Sequence, residues 1–209
     1  MITKENYLES PCRASSIPYW KAKTVSVPDS MKILHDEDFT PEFLQWYTDE
    51  QYFRLIHNLQ NLEPAKTPNG YSVCKASIKD FAEHINKCYN GNCISVSELK
   101  KYTLRAVYKP DLWLAIIDNS TGKIAASGIA EFDSEIGEGM LEWIQVSKEH
   151  RERHLGTYIV KELLWRMKDI ADFVTVSGKC NNPSNPEALY RRCGFVGTDV
   201  WHILKNNCY

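Results

Sequence analysis

A chain of 209 residues, 43% hydrophobic and 25% charged, has the size and composition of one globular domain or of a domain with an extension. A formal net charge of -2 gives no bulk electrostatic reason to expect a nucleic-acid partner. No apolar run approaches the roughly 20 residues of a membrane span, and the polar start Met1-Ile-Thr-Lys-Glu-Asn-Tyr-Leu-Glu9 does not read as a signal peptide. A cytoplasmic protein without nucleic-acid or membrane partners is the expectation.

In chain order, residues 10–30 carry Pro11, Pro18 and Pro28 among serines and read as an extended arm that Tyr19 and Trp20 could pin down. Met31 to His35 reads as a strand. Thr40-Pro41 is an N-cap followed by proline at the first helical position. Phe43, Leu44, Tyr47, Tyr52, Phe53, Ile56 and Leu59 then recur at helical spacing, which predicts two helices or one bent helix over about 41–60. Residues 61–72, with Pro64, Pro68 and Asn69-Gly70, form the clearest loop. Ser77 to Tyr89 is predicted helical with Ile78, Phe81, Ile85 and Cys88 on one stripe, and Ser97 to Thr103 is a short capped helix.

From about residue 104 the pattern turns to strands: Leu104 to Tyr108, Leu112 to Ile117, Lys123 to Phe132 and Gly139 to Val146, with a hairpin loop of turn formers at Asp118 to Gly122. A helix follows from Leu155 to Ile170, with Leu155, Ile159, Leu163, Met167 and Ile170 facing the core. Phe173 to Ser177 is a strand, Pro186 to Cys193 a short helix, and Phe195 to Leu204 a closing strand. This order predicts an α/β fold with a mixed sheet and helices packed on it.

Cys12, Cys74, Cys88, Cys93, Cys180, Cys193 and Cys208 are odd in number and show no metal-ligand spacing. They read as reduced, mostly buried thiols, so neither a metal site nor a disulfide framework is expected. Cys180 and Cys193 could suggest a covalent intermediate, but no histidine stands in fixed relation to either, which favours a buried thiol.

Chemistry concentrates at two segments. In the first, Leu141 to Val146 runs through a polar turn into the helix opening at Leu155, with Arg151, Arg153 and Gly156 at the helix start. Unpaired N–H groups and the positive end of the peptide dipoles make such a start a plausible cradle for phosphate or pyrophosphate. It is not a P-loop and lacks the spaced glycines of a dinucleotide fold. In the second, Asn181 to Phe195, Asn185 can cap a helix, Pro186 can occupy its first position, and Gly194 can supply a left-handed exit. That leaves Tyr190 as a phenol near the helix C-terminus.

Together the two segments resemble the GNAT acyltransferase superfamily. The family's Arg/Gln-x-x-Gly-x-Gly/Ala signature, opening a helix after a strand, maps onto Arg151, His154 and Gly156. Its second signature maps onto Asn185, Ala188, Leu189, Tyr190, Gly194 and Phe195. The resemblance covers roughly 104–204 and implies a GNAT-like, mostly antiparallel central sheet flanked by helices, with a helical N-terminal extension. Residues 1–103 would form an arm and a helical region on the acceptor side; residues 104–209 would form the acyl-CoA-binding core. His154 departs from the pattern: a histidine in place of glycine must point out of the cradle or contact a phosphate.

The resemblance further implies an N-acetyltransferase that takes acetyl-CoA as co-substrate, without a metal, and moves the acetyl group to the amine of a small molecule or peptide by direct attack. The strand ending at Val146 would splay from Phe173 to Ser177, and the pantetheine arm would pair with backbone near Ile144, Gln145 and Val146. The pyrophosphate would rest on Arg151, Glu152, Arg153, His154, Leu155, Gly156 and Thr157, with Asn182, Asn185 and Tyr190 completing the cofactor contacts. A backbone N–H on the Ile144–Val146 strand is the candidate oxyanion donor. Tyr190 is the candidate acid. Glu142, two residues before Ile144, is the candidate base, with Glu131 and Glu138 as competitors. Tyr52, His57 and Trp113 could line the acceptor pocket or simply pack. A non-catalytic acyl-CoA sensor is the alternative, and the protein is expected to be a monomer or homodimer.

Overall fold

A computed structural model describes residues 2–89 and 94–207, so Cys93 and Cys208 lie outside the described residues. From the N-terminus come α1 (Lys4–Glu9), α2 (Pro11–Ala14), α3 (Tyr19–Ala22), β1 (Met31–His35), β2 (Tyr47–His57), β3 (Tyr71–Cys74), α4 (Ile78–Cys88) and α5 (Val96–Tyr102). There follow β4 (Trp113–Asp118), β5 (Ile124–Asp133), β6 (Glu138–Val146), α6 (Leu155–Met167), β7 (Phe173–Lys179), α7 (Pro186–Arg192) and β8 (Val196–Asn206). The fold is mixed α/β, with mostly antiparallel strands flanked by helices and further helices at the N-terminus. It forms two compact units, Met1–His57 with Thr175–Tyr209, and Asn58–Val174.

In the first unit the strand order is β1-β8-β2-β7, with β1 and β2 each antiparallel to β8. The chain before β1 is helical at Pro11–Ala14 and Tyr19–Ala22, not an extended arm. Tyr19 is buried against Tyr7 with ring centroids 5.4 Å apart, so it does fasten the segment. The larger departure is at 41–60. Proline does open a helical turn at Pro41, but that 3₁₀ turn ends at Gln45 and the chain becomes an eleven-residue strand. Phe53, Arg54, Leu55 and His57 are all buried. A strand covered on both faces loses the alternation that marks a strand, and its apolar residues then fit a helical template by accident.

In the second unit β6, β5, β4 and β3 lie side by side and antiparallel. Helix α4 begins at a capping box, with the Ser77 side chain accepting from Asp80 N–H and the Asp80 carboxylate accepting from Ser77 N–H. Ser95 and Glu98 cap α5 in the same way. Phe81 and Ile85 of α4 and Leu99 of α5 pack with Ala115 and Ile129 of the sheet, whereas Gly128 faces Ile159 and Leu163 of α6. Neighbouring residues of one strand point to opposite faces, so α4 and α5 cover one face and α6 the other. Residues 104–108 are turns, not a strand; 3₁₀-type bonds from Thr103, Leu104 and Arg105 N–H carry the winding on past α5. Helix α6 stops at Met167, so Ile170 is 48% exposed and not a core residue. The short strand β3 lies where the loop was expected to end.

Gly128 shows how tightly α6 is seated. A Cβ there would lie 2.4 Å from Ile159 Cγ2 and 3.1 Å from Leu163 Cδ1, both fully buried side chains. Gly128→Ala should therefore lower unfolding stability by about 2 kcal/mol. Urea denaturation checks this; a midpoint unchanged from wild type would contradict it.

Candidate acyl-CoA site

The turn between β6 and α6 is built from conformations rare outside glycine. Lys148–His150 forms a 3₁₀ turn and Arg151 is extended, after which Glu152 (φ 62°) and His154 (φ 59°) both enter the left-handed region. His154 is the N-cap of α6. Tyr158 N–H closes the first helical bond, onto the His154 carbonyl at 2.9 Å. The N–H groups of Leu155, Gly156 and Thr157 therefore precede it and face out of the helix start. Position 154 keeps the backbone shape a glycine would supply, and the imidazole is exposed. Left-handed geometry costs a non-glycine residue roughly 1–2 kcal/mol, although histidine tolerates it better than most. His154→Gly should raise stability by about 1 kcal/mol while leaving the turn intact; a lower melting temperature would contradict the strain argument.

Arg151, Glu152, Arg153 and His154 are exposed, Gly156 and Thr157 half-buried, and Leu155 is buried, so Leu155 offers its N–H and not its side chain. The two arginines differ. Arg153 Nη1 donates to Tyr71 Oη at 3.1 Å, and that phenol in turn reaches His150 Nδ1 at 3.1 Å. Arg153 thus ties the turn to β3. Arg151 N–H closes the 3₁₀ turn onto the Lys148 carbonyl, while its side chain makes no hydrogen bond or ion pair among the described residues, which leaves the guanidinium open to an anion. Three helix-start amides and one open arginine fit a pyrophosphate; the Glu152 carboxylate opposes it.

Strand β6 carries an irregularity that matters for the candidate base. Its register with β5 passes from Leu141↔Ala130 to Trp143↔Ile129, so Glu142 is the extra residue of a β-bulge. Leu141 pairs on the α6 face while Trp143 packs against the α4–α5 cluster, so alternation is broken at Glu142. The period-two argument that set Glu142 on the face of Ile144 and Val146 does not hold across it. Glu142 is half-buried. Its competitors are placed for structure: Glu131 is buried and paired with Arg105 Nη1 at 2.6 Å, and Glu138 has no exposure. The Gln145 side chain is 4% exposed and donates to Ser127 Oγ, so it faces the interior under α4. Ile144 and Val146 are half-buried, and the Ile144 carbonyl accepts from Tyr89 Oη at 3.0 Å. Burial pushes the Tyr89 phenol up to about 12, so it keeps the proton it donates.

In the first unit the second segment folds as its residues imply. Asn182 Oδ1 accepts from Ser184 N–H at 3.0 Å and Ser184 Oγ–H at 2.8 Å, which shapes the approach to α7. Asn185, left-handed at φ 45°, caps α7 by accepting from Ala188 N–H. Gly194 (φ 95°) turns the chain out, and Phe195 N–H bonds back to the Tyr190 carbonyl at 3.1 Å. Tyr190 is 7% exposed, its ring set between Phe53 (6.2 Å) and Phe195 (5.7 Å). A Cβ on Gly194 would meet His57 Nε2 at 2.8 Å.

Of the expected acceptor-lining residues, His57 is buried against Phe195 at 5.3 Å, and burial pulls its imidazole below its ordinary range. Trp113 packs on Phe81 and Tyr108, and Tyr52 is half-buried with its hydroxyl on Glu50. All three pack. Cys12 and Cys193 are buried, while Cys74, Cys88 and Cys180 are half-buried free thiols, so the thiols are less uniformly buried than the composition implied. Sequence reasoning missed His84 and Tyr89, which flank the apolar stripe of α4. The available signal was a histidine one turn before a cysteine on a helix otherwise packed by Phe81 and Ile85.

The family model of the acetyltransferase (GNAT) family matches residues 78–195, and the chain belongs to that family. The fold is shared with solved structures at low identity. A GCN5-related N-acetyltransferase from Sphaerobacter thermophilus matches with a TM-score of 0.69 at 14% identity, over 86% of this chain and 61% of that one. A GNAT-family acetyltransferase from Colwellia psychrerythraea gives 0.63 at 11%, over 90% and 69%. A Drosophila protein gives 0.59 at 18%, over 77% of this chain and 52% of that one. The chain thus spans less than two thirds of the first and third of these. No curated protein matches it. Among the described residues no helix is long and apolar enough to cross a membrane.

Proposed function

We propose that the protein is a cytoplasmic N-acetyltransferase that moves an acetyl group from acetyl-CoA to the amine of a small molecule or peptide by direct attack, as a monomer or homodimer without a metal. The observation that carries this reading is the helix start at His154, where a left-handed residue turns three amides outward beside Arg151. Leu155, Gly156 and Thr157 N–H with Arg151 would hold the pyrophosphate, and the backbone of Ile144, Gln145 and Val146 would receive the pantetheine arm. Asn182 and Asn185 shape the approach to Tyr190, and Glu152, Arg153 and His154 rim the cradle. Residues 1–103 would supply the acceptor side, and 104–209 the acyl-CoA core.

Acetyl-CoA supplies the activated thioester. The residues have three tasks. An amine with a pKa of ~10 must lose a proton before or during attack, and Glu142, at the bulge, is the group assigned to take it. The charge that builds on the carbonyl oxygen needs a fixed donor, for which a backbone N–H of Ile144–Val146 serves. The departing thiolate needs an acid, and Tyr190 is assigned that proton.

The opposing reading is an acyl-CoA sensor that binds without turnover, favoured by the exposed imidazole and the Glu152 carboxylate where a bare glycine turn would bind anions better. Calorimetric titration with acetyl-CoA, followed by mixing with polyamines, aminoglycosides, amino acids and peptides, separates the two. Binding together with amine-dependent release of free thiol is expected. Binding without release on any amine would establish the sensor instead.

A further inference from the structure

Helix α4 and Tyr89, its C-cap, touch the path from β6 to α6 at three successive stations. Tyr89 Oη donates to the Ile144 carbonyl at 3.0 Å, His84 Nε2 lies 2.9 Å from Ser147 Oγ, and Lys87 Nζ pairs with Glu149 Oε2 at 3.4 Å. The lysine pair is exposed on both sides and counts for little. The histidine contact is buried: His84 is 5%, Ser127 0% and Ser147 1% exposed.

The His84 ring bridges two buried hydroxyls: Nδ1 lies 2.8 Å from Ser127 Oγ, which also accepts from Gln145 Nε2, and Nε2 lies 2.9 Å from Ser147 Oγ. A neutral imidazole donates through one nitrogen and accepts through the other, so in either tautomer the ring links Ser127 of β5 to Ser147. Ser147 Oγ also lies 3.5 Å from the Ile124 carbonyl. Ser147 N–H is fixed as well, on the Ala125 carbonyl at 2.9 Å. Cys88 Sγ lies 3.6 Å from His84 Nε2, and burial pushes that thiol up, so it stands as a neutral neighbour.

Ser147 is the N-cap of the 3₁₀ turn that leads to Arg151 and the left-handed residues of the cradle. We propose that His84 is a positioning residue for the cofactor turn: through Ser147 it fixes where the chain leaves β6, and so where Arg151 and the Leu155–Thr157 amides stand. It acts through Ser147 and touches no cofactor itself. The inference rests on the acyltransferase reading of the same turn.

The test is the dissociation constant for acetyl-CoA, measured by calorimetry at a temperature where every variant is folded, beside the melting temperature of each. His84→Leu should weaken binding ~10-fold and Ser147→Ala ~5-fold. The double variant should be no weaker than the worse single one, because both remove one link. His84→Gln, whose amide offers both a donor and an acceptor, should stay within ~3-fold of wild type. Leu99→Ala, in the same α4–α5 cluster, should melt earlier yet bind within ~2-fold of wild type, which separates positioning from general loosening. If His84→Leu does not fold, Ser147→Ala carries the test. Wild-type affinity in a folded His84→Leu or Ser147→Ala variant, or a loss in Leu99→Ala as large as theirs, overturns the inference alone. Wild-type protein that binds no acetyl-CoA overturns the acyltransferase reading and this inference with it.

Discussion

Tyr190→Phe is expected to lower kcat about 100-fold, in the range of a lost general acid, with the affinity for acetyl-CoA changed less than ~3-fold. The substitution removes one oxygen and leaves the ring where Phe53 and Phe195 hold it. Tyr190 is 7% exposed within a short helix closed at both ends, by Asn185 and by Gly194, so the phenylalanine ring should keep the seat of the phenol. A fall in kcat with an unchanged melting temperature then reports chemistry and not packing. Steady-state kinetics at saturating acetyl-CoA measures it, and an unchanged kcat would remove Tyr190 from the mechanism.

The second large effect is on stability and comes from His84. Burial, reinforced by the charge of Lys87, pulls this imidazole down from 6.5 to about 4. The folded protein therefore holds it neutral in a range where the unfolded chain protonates it. The stability tied to that neutral form is fully present above pH 6.5 and is lost as pH falls toward 4. The interval corresponds to about 3 kcal/mol. His57, lowered by its own burial, acts in the same direction. Urea denaturation at pH 7 and at pH 4.5 should show the loss, and His84→Gln, which has no proton to gain, should show a shallower dependence. Equal slopes in wild type and variant would contradict the assignment.

The sequence was legible where an element is amphipathic or carries its own punctuation. Helix α4 announced itself through Ser77 and a stripe of Phe81 and Ile85; α7 did so through Asn185, Pro186 and Gly194. It was illegible where burial is two-sided. Strand β2 hides among the buried Phe53, Arg54, Leu55 and His57, and nothing local separates it from a helix. Residues 104–108 end in the β-prone Val107 and Tyr108 but begin by continuing the winding of α5, because the Lys100, Lys101 and Tyr102 carbonyls accept from the next turn.

The same contrast holds at the site. The turn at 151–157 and the Tyr190 helix could be read from residue types. The bulge at Glu142 could not, because a one-residue register shift leaves no mark in composition, and it undid a face assignment built on alternation. Nor could the Arg153–Tyr71 bond, which joins residues 82 positions apart and ties one of the two arginines to β3. The histidine at 154 looked like a defect in the turn. Its left-handed backbone keeps the shape that glycine serves elsewhere, and the imidazole is exposed to solvent.

The most direct measurement is the mass of an amine incubated with the protein and acetyl-CoA, read beside the free thiol produced. One acceptor gaining a single acetyl group for each thiol released, with neither product formed when the protein is omitted, is the predicted result. Acetyl-CoA bound with no acetylated amine across polyamines, aminoglycosides, amino acids and peptides, or no binding at all, would contradict it.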